Sequence, residues 1–474
     1  MKKLIVPIVA LALLSGNEAY AINTTPLADD EVVDLGIENP QGEIKPKSDL
    51  HPSLKKNIDP YFLGSKNVTS QEQETAYKAL VSNIPVDPDF AVTPAYAIVG
   101  RDGKFIFSVG ASAKGTMCYD FNNPYNNPKN FEPGSFAKSD NKGKFGMTFS
   151  GSNIHFNFVG LPGSANEVGI FLELGFGGGT PNSYNVDCGH AYLRYRGFTF
   201  GKTTTVFSDQ LADPVLIDGH GFPSNGGHGT TTFNWQHYFN SHIRFGVGLE
   251  IPRVSATAAA TGIEINSVTN ESDLANKTAF QKLPDLPLYF QYRLNDVWHV
   301  RGGAVFRALS YHNYYTKANK VSFAAGGKFS TVIKTKPVIF MAMVQGGKGI
   351  ASYLQENADR GLDMTPRDAE DAPSGEYNLS KSWGAQAAFQ FNWSKNVFST
   401  VGYSYIRNYV DKYEYGTFAW DNHLKSSQMV VANVLADIKQ LFRVGIEYCW
   451  GQRTSFNGDK VSNNRIYAMF QVQF

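Results

Sequence analysis

The sequence predicts an all-β protein, a transmembrane antiparallel β-barrel of about 16 strands with an N-terminal periplasmic extension. Three observations predict it. Stretches of alternating polar and apolar residues recur along residues 101–474, the connections between them are short and long by turns, and the last stretch ends on an aromatic. No run after the N-terminus approaches the roughly 18 apolar residues of a membrane-spanning helix, so strands must do the spanning.

The chain opens with a basic pair, Lys2-Lys3, an apolar run from Leu4 to Leu14, and Ala19-Tyr20-Ala21. Residues 1–21 therefore read as a secretory signal peptide, too short in its apolar core to anchor the chain. The first cysteine after it is Cys118, which argues against a lipoprotein. Residues 22–100 differ from the rest: Pro26, Pro40, Pro46, Pro52, Pro60, Pro85, Pro88 and Pro94 break them up, and acids cluster at Asp29-Asp30-Glu31. Only 70–83 has helical character, with Thr69 or Ser70 to cap, Glu72 and Glu74 in the first turn and Pro85 to end it. This segment reads as a mostly extended periplasmic spacer; a plug of the lumen is the alternative.

The alternating stretches lie near 104–118, 144–158, 167–177, 185–196, 197–206, 230–239, 241–251, 286–294, 297–310, 319–333, 335–346, 380–393, 397–409, 426–438, 441–452 and 462–474. In Phe442-Arg443-Val444-Gly445-Ile446-Glu447-Tyr448-Cys449-Trp450 every second residue is apolar. A strand with lipid on one side and water on the other requires this period. In the closing stretch Ile466, Ala468, Phe470, Val472 and Phe474 share one face.

The connections supply an independent argument. After even-numbered strands they are short, as at Arg196-Gly197, Asn295-Asp296 and Lys439-Gln440, with only the first, Val159 to Asn166, longer. After odd-numbered strands many are long, about 119–143, 207–229, 252–285 and 347–379. Short periplasmic turns alternating with long outer loops characterise outer-membrane barrels, and the parity puts both termini in the periplasm. A soluble β-sandwich has no reason to keep it.

Composition narrows the function. The chain has 43 Lys and Arg against 42 Asp and Glu, and removing Lys2, Lys3 and Glu18 with the signal leaves 41 of each. A neutral mature chain argues against nucleic acid as a partner. Charged residues are 18% and aromatics 14%, which suits an apolar outer face over a polar inner one. Cys118, Cys188 and Cys449 have no metal-ligand spacing. A Cys118–Cys188 bridge remains open, since both fall near strand ends.

One stretch resembles a known family. Gly197-Phe198-Thr199-Phe200-Gly201-Lys202-Thr203 leads through Phe207-Ser208-Asp209 to Asp213-Pro214 and Ile217-Asp218-Gly219. This is similar to the DcaP-like trimeric porins, with a close match over about thirty residues and a looser one over 101–474. The resemblance implies a homotrimeric diffusion channel in the bacterial outer membrane, bounded by lipid and lipopolysaccharide, whose loop near 207–229 folds inward. That family also carries a coiled coil after the signal, whereas 22–100 here lacks sustained heptads.

If the apolar residues face lipid, their alternates face the lumen. Arg194, Arg196, Arg244, Arg293, Arg301, Arg307, Arg443 and Arg465 then line it, against Glu250, Asp437 and Glu447. On the lipid face each would cost about 2–4 kcal/mol near the midplane. A basic wall attracts anions such as carboxylates. Asp209, Asp213 and Asp218 of the third outer loop, beside Gly219, Gly221, Gly226, Gly227 and Gly229, are expected to face that wall and set up a transverse field at a constriction. The other reading of the arginines is simple pairing with loop acids.

No catalytic residues, no metal ligands and no cofactor are expected. Gly151-Ser152 lacks the context of a nucleophile elbow. His220 and His228 lack helical metal spacing, and the acids of the sixth loop, Glu356, Asp359, Asp363, Asp368, Glu370, Asp371 and Glu376, lack a calcium-loop spacing. The expected function is passive diffusion of small hydrophilic solutes. A plugged receptor-like or structural barrel is the main rival, and an outer-membrane hydrolase a lesser one.

Overall fold

The computed structural model describes residues 103–474 except 179–182, 228, 241, 258–280, 295–296, 314, 336, 369–372, 415–419, 439–441 and 474. Before residue 103 it describes Tyr61–Leu63, Thr75, Ala79, Leu80, Ser82–Pro85 and Tyr96–Gly100. The signal peptide, His228 and most of the expected helix at 70–83 lie outside the described residues.

Sixteen strands form the wall: β1 (Phe105–Asp120), β2 (Lys144–Thr148 and Asn153–Gly160), β3 (Val168–Gly178), β4 (Asn185–Tyr195), β5 (Phe198–Thr204), β6 (Gly229–Tyr238), β7 (Ile243–Glu250) and β8 (Leu286–Leu294) in the first half. The second half holds β9 (Trp298–Asn313), β10 (Ala318–Lys334), β11 (Val338–Lys348), β12 (Lys381–Asn392), β13 (Val397–Tyr409), β14 (Leu424–Ile438), β15 (Phe442–Ser455) and β16 (Lys460–Gln473). Each pairs antiparallel with its neighbours in sequence, and β16 closes on β1 with Arg465 opposite Asp120 and Gln473 opposite Ser112. Closure leaves no row of unpaired backbone groups along an open edge among the described strands.

The alternation assigns the two faces. Ile446 is 63% exposed while Glu447 beside it is 0% exposed, and Phe323 is 81% exposed beside Ala324 at 4%. Phe145, Phe200, Phe233, Phe290 and Phe470 continue the outer apolar surface. Trp298 and Trp393 lie exposed near the short turns.

Local departures have local causes. β2 is interrupted where Ser152 N–H donates to Phe149 O at 3.1 Å, a turn that bulges the wall. The β4–β5 turn is Arg196-Gly197, with φ of +49° and +81°, the two positive values of a type I′ hairpin. The loop between β11 and β12 contains its own hairpin, Met364–Asp368 with Pro373–Leu379, which the alternation had not separated from the loop.

Part of the N-terminal segment joins the barrel. Tyr96–Val99 pairs antiparallel with β1 below the end of β16, and Tyr61–Leu63 pairs parallel with Tyr96–Val99. Around Ala79–Asn83 the backbone makes a helical turn, with Asn83 N–H donating to Ala79 O at 3.2 Å. Leu80 packs in a cluster with Ala97, Val99, Ile106 and Val159. Ile106 and Val159 belong to the inward-facing sets of β1 and β2, so these residues do not lie outside the barrel as a spacer would.

Candidate functional site: the barrel lumen

The site is the inner wall and the loop that lies against it, residues 205–227 between β5 and β6. A row of wall residues fastens this loop. At its start Glu250 on β7 accepts from Thr205 Oγ1 and Val206 N–H, both at 2.7 Å. Asp209 then caps the short turn Gln210–Ala212 by accepting from Leu211 N–H, and takes bonds from His299 Nε2 on β9 at 2.9 Å and from Ser330 Oγ on β10. Gln386 on β12 donates to Ala212 O and Asp213 Oδ1. Asn433 on β14 donates to Val215 O. Glu447 on β15 clamps two successive backbone N–H groups, Ile217 at 2.7 Å and Asp218 at 2.8 Å. Lys114 on β1 donates to Ile217 O at 2.8 Å. The loop thus crosses the inner faces of β7, β9, β10, β12, β14 and β15 to reach β1.

Beyond that crossing it is held from above. Asp218 accepts from Phe131 N–H of the first outer loop at 2.7 Å and from Tyr467 Oη at 3.4 Å. His220 lies 3.8 Å from Glu132 of the first loop and 3.6 Å from Glu356 of the sixth. Burial opposes a charge on His220, yet Glu356, then Glu132 and Asp218, outweigh it and raise its pKa above the ordinary value. Burial likewise opposes a charge on Glu356. His220, Arg360 and the Gly134 N–H nevertheless hold its pKa below the usual range.

The acids expected to face an arginine wall are therefore fasteners of the loop. Asp209 alone approaches an arginine, with Arg301 at 3.9 Å. Asp213 is bonded to Gln386, and Asp218 is turned toward the first loop.

The arginines divide by environment. Arg244 on β7 and Arg301 on β9 lie on either side of Tyr289 on β8, with guanidinium carbons 5.9 and 3.5 Å from its centroid, and Arg244 lies nearer to the Tyr238 ring of β6, at 4.6 Å. Gly246 and Gly303 sit opposite Tyr289 in the register; a Cβ on Gly246 would lie 2.3 Å from the ring, so glycine there makes room for it. Tyr289 Oη donates to Gln236, which also receives Arg244, and Arg301 donates to Val206 O at 2.7 Å. Arg293 points inward one register step away, opposite His299. Arg194 faces inward on β4 and donates to Ser82 O of the N-terminal segment. Arg443 is held by both oxygens of Asp437 at 2.7 and 3.0 Å.

Three of the arginines do not line an open lumen. Arg196 occupies the hairpin turn, exposed, and bonds to Ala165 O and Asn166 Oδ1 of the neighbouring turn. Arg307 faces inward but is sealed by outer loops, bonded to Asp285, Asp363, Gly349 O and Arg253 O. Arg465 is closed over by the first loop, paired to Asp120 and bonded to the carbonyls of Tyr125, Asn127 and Asn130. Loop closure converts these two from lining groups into structural ion pairs.

Two inward lysines belong with the lumen groups and were not singled out from the sequence. Lys114 is described above; Lys328 on β10 is buried near Phe207, its ammonium 5.7 Å from that ring. The alternation that selected the arginines selects both lysines equally. Cys118 faces inward and Cys188 sits opposite Leu174 on the outer side of β4, both as free thiols, so the open disulfide reading fails on geometry.

A closed barrel of 16 antiparallel strands with an internal loop is the fold of the general porins. Among solved structures the chain is similar to the outer membrane channel DcaP of Acinetobacter baumannii, with a TM-score of 0.65, 18% identity, and coverage of 79% of this chain and 99% of that one. It is also similar to an anion-selective porin from Comamonas acidovorans, with a TM-score of 0.51, 8% identity, and coverage of 78% and 100%. No protein-family model matches the sequence, and no curated protein does.

Proposed function

We propose that this chain is an outer-membrane porin through which small hydrophilic solutes diffuse passively, with a preference for anions such as carboxylates. The observation that carries this reading is the pair Arg244 and Arg301 on either side of Tyr289 on the inner wall, where the internal loop begins. Arg301 stacks on Tyr289 and Arg244 lies over Tyr238, which orients both guanidinium groups, and a guanidinium stays charged and can receive a carboxylate through two parallel bonds. Arg293, opposite His299 one inward step from Arg301, adds a third inward guanidinium, and among the described residues Asp209 is the loop carboxylate within 4 Å of an arginine. The balance of charge at that level is basic. The Comamonas channel of similar fold is anion-selective, which agrees in sign.

The same reading makes residues 1–21 a signal peptide, places the short turns on the periplasmic side with the N-terminal segment entering the barrel from there, and makes the assembly a homotrimer in contact with lipid and lipopolysaccharide. Its test is the double substitution Arg244→Gln with Arg301→Gln. Reversal potential in a salt gradient should move toward cation preference and dicarboxylate uptake should slow, while uptake of uncharged sugars of similar size stays near wild type. Wild-type channels that already favour cations would show that the arginines serve only as partners of the loop.

A further inference from the structure

We infer that the chain's own N-terminal segment is seated inside the barrel and narrows the channel from the end that carries the short turns. The inference rests on the porin reading and goes beyond it, because it assigns a gating element outside the loop that porins use.

The contacts are specific and come from four strands. Leu80 is fully buried against Ile106 of β1 and Val159 of β2. Asn157 of β2 makes two bonds to this segment: its Oδ1 accepts from Asn83 Nδ2 at 2.7 Å, and its Nδ2 donates to Leu80 O at 2.8 Å. Ile84 packs on Phe171 of β3 and Tyr192 of β4. Tyr192 Oη donates to Asn83 O, and Arg194 donates to Ser82 O.

The wall is shaped for this occupant. Gly169 on β3 belongs to the inward-facing set, and a Cβ there would come 2.0 Å from Asn83 Oδ1. A glycine at that position leaves the depression into which Asn83 fits. Phe171 and Tyr192 stack at 5.6 Å beneath Ile84, so the segment covers an aromatic surface that would otherwise face water. Asn157 lies three residues from the end of β2, which puts the contact about 8–10 Å inside the rim.

The expected effect follows from dimensions. Sixteen strands spaced ~4.8 Å and tilted ~40° wrap a cylinder roughly 32 Å across. Side chains on the wall reduce this to about 20 Å, and a helical turn about 10 Å wide takes roughly a quarter of that section. Removing it should raise conductance roughly 1.3-fold.

The experiment compares the full chain with two full-length variants in planar bilayers. Gly169→Val fills the depression from the wall side, and Leu80→Asp puts a charge into the apolar contact from the segment's side. Both should give heat-modifiable barrels with larger single-channel steps than wild type. If Gly169→Val does not fold, Leu80→Asp decides, because Leu80 is not part of the wall. Conducting channels with unchanged steps would overturn the inference and leave the porin reading intact. Silence of wild type and variants alike would overturn the porin reading, and this inference with it.

Discussion

Replacing Glu447 with alanine should release the internal loop while leaving the barrel closed. Its carboxylate accepts from Ile217 N–H at 2.7 Å, Asp218 N–H at 2.8 Å and Asn433 Nδ2 at 3.0 Å, all out of contact with water. Truncation leaves two buried backbone donors without an acceptor, each worth about 1–3 kcal/mol. Part of this is offset because a desolvated carboxylate is no longer buried, a relief that can amount to several kcal/mol. A net loss of about 2–4 kcal/mol in loop docking follows, which raises the undocked population roughly 30- to 1000-fold. Glu447→Gln keeps one acceptor oxygen and should lose about half as much. The assay is single-channel recording: Glu447→Ala channels should flicker and show a broadened conductance distribution, with Glu447→Gln between it and wild type. A folded Glu447→Ala barrel with wild-type steps and wild-type noise would refute the argument that this clamp holds the loop.

Arg465→Met removes one member of a fully buried pair and strands Asp120, at a cost of about 3–5 kcal/mol, so the first outer loop should become protease-sensitive and the unfolding temperature should fall. His220 joins the first, third and sixth outer loops, and its raised pKa means that its contribution is fully present below about pH 6.5 and fades as pH rises through the higher folded value. Glu356 is depressed, so its contribution is present above about pH 4.5 and is lost as pH falls through the lower folded value. The clasp should therefore be strongest between about pH 4.5 and 6.5, and the stability difference between wild type and His220→Gln should shrink from pH 6 to pH 9 in thermal unfolding. A difference that is constant across that range would mean His220 is not charged in the folded protein.

The wall was legible in the sequence because an apolar outer face over a polar inner face imposes a period of two on every strand. Ile446 beside Glu447 shows the rule at its sharpest, and the short-long parity of the connections fixed the strand count independently. The same rule tells which face a residue occupies and nothing of what lies above it. Arg307 and Arg465 face inward as expected, yet the loops that cover them come from 22 to over 300 residues away, and no local pattern encodes that contact. Arg196 was legible and misassigned by alternation alone: followed by glycine between two strands, it carries the signature of a tight hairpin turn. The role of Asp209, Asp213 and Asp218 depended on which wall residues the loop meets, and those are set by the loop's path across the barrel from β7 to β1. The seat of the N-terminal segment left a trace in Gly169, a glycine on an inward-facing position with no turn to explain it.

The central claim is that the lumen is a water-filled diffusion path, and planar-bilayer conductance of the purified full chain tests it most directly. The account predicts stepwise, ohmic current increments, with three conducting units entering together if the assembly is trimeric, and a reversal potential on the anion side in a salt gradient. Well-folded, heat-modifiable protein that inserts and carries no current would contradict it and would make the barrel a closed one.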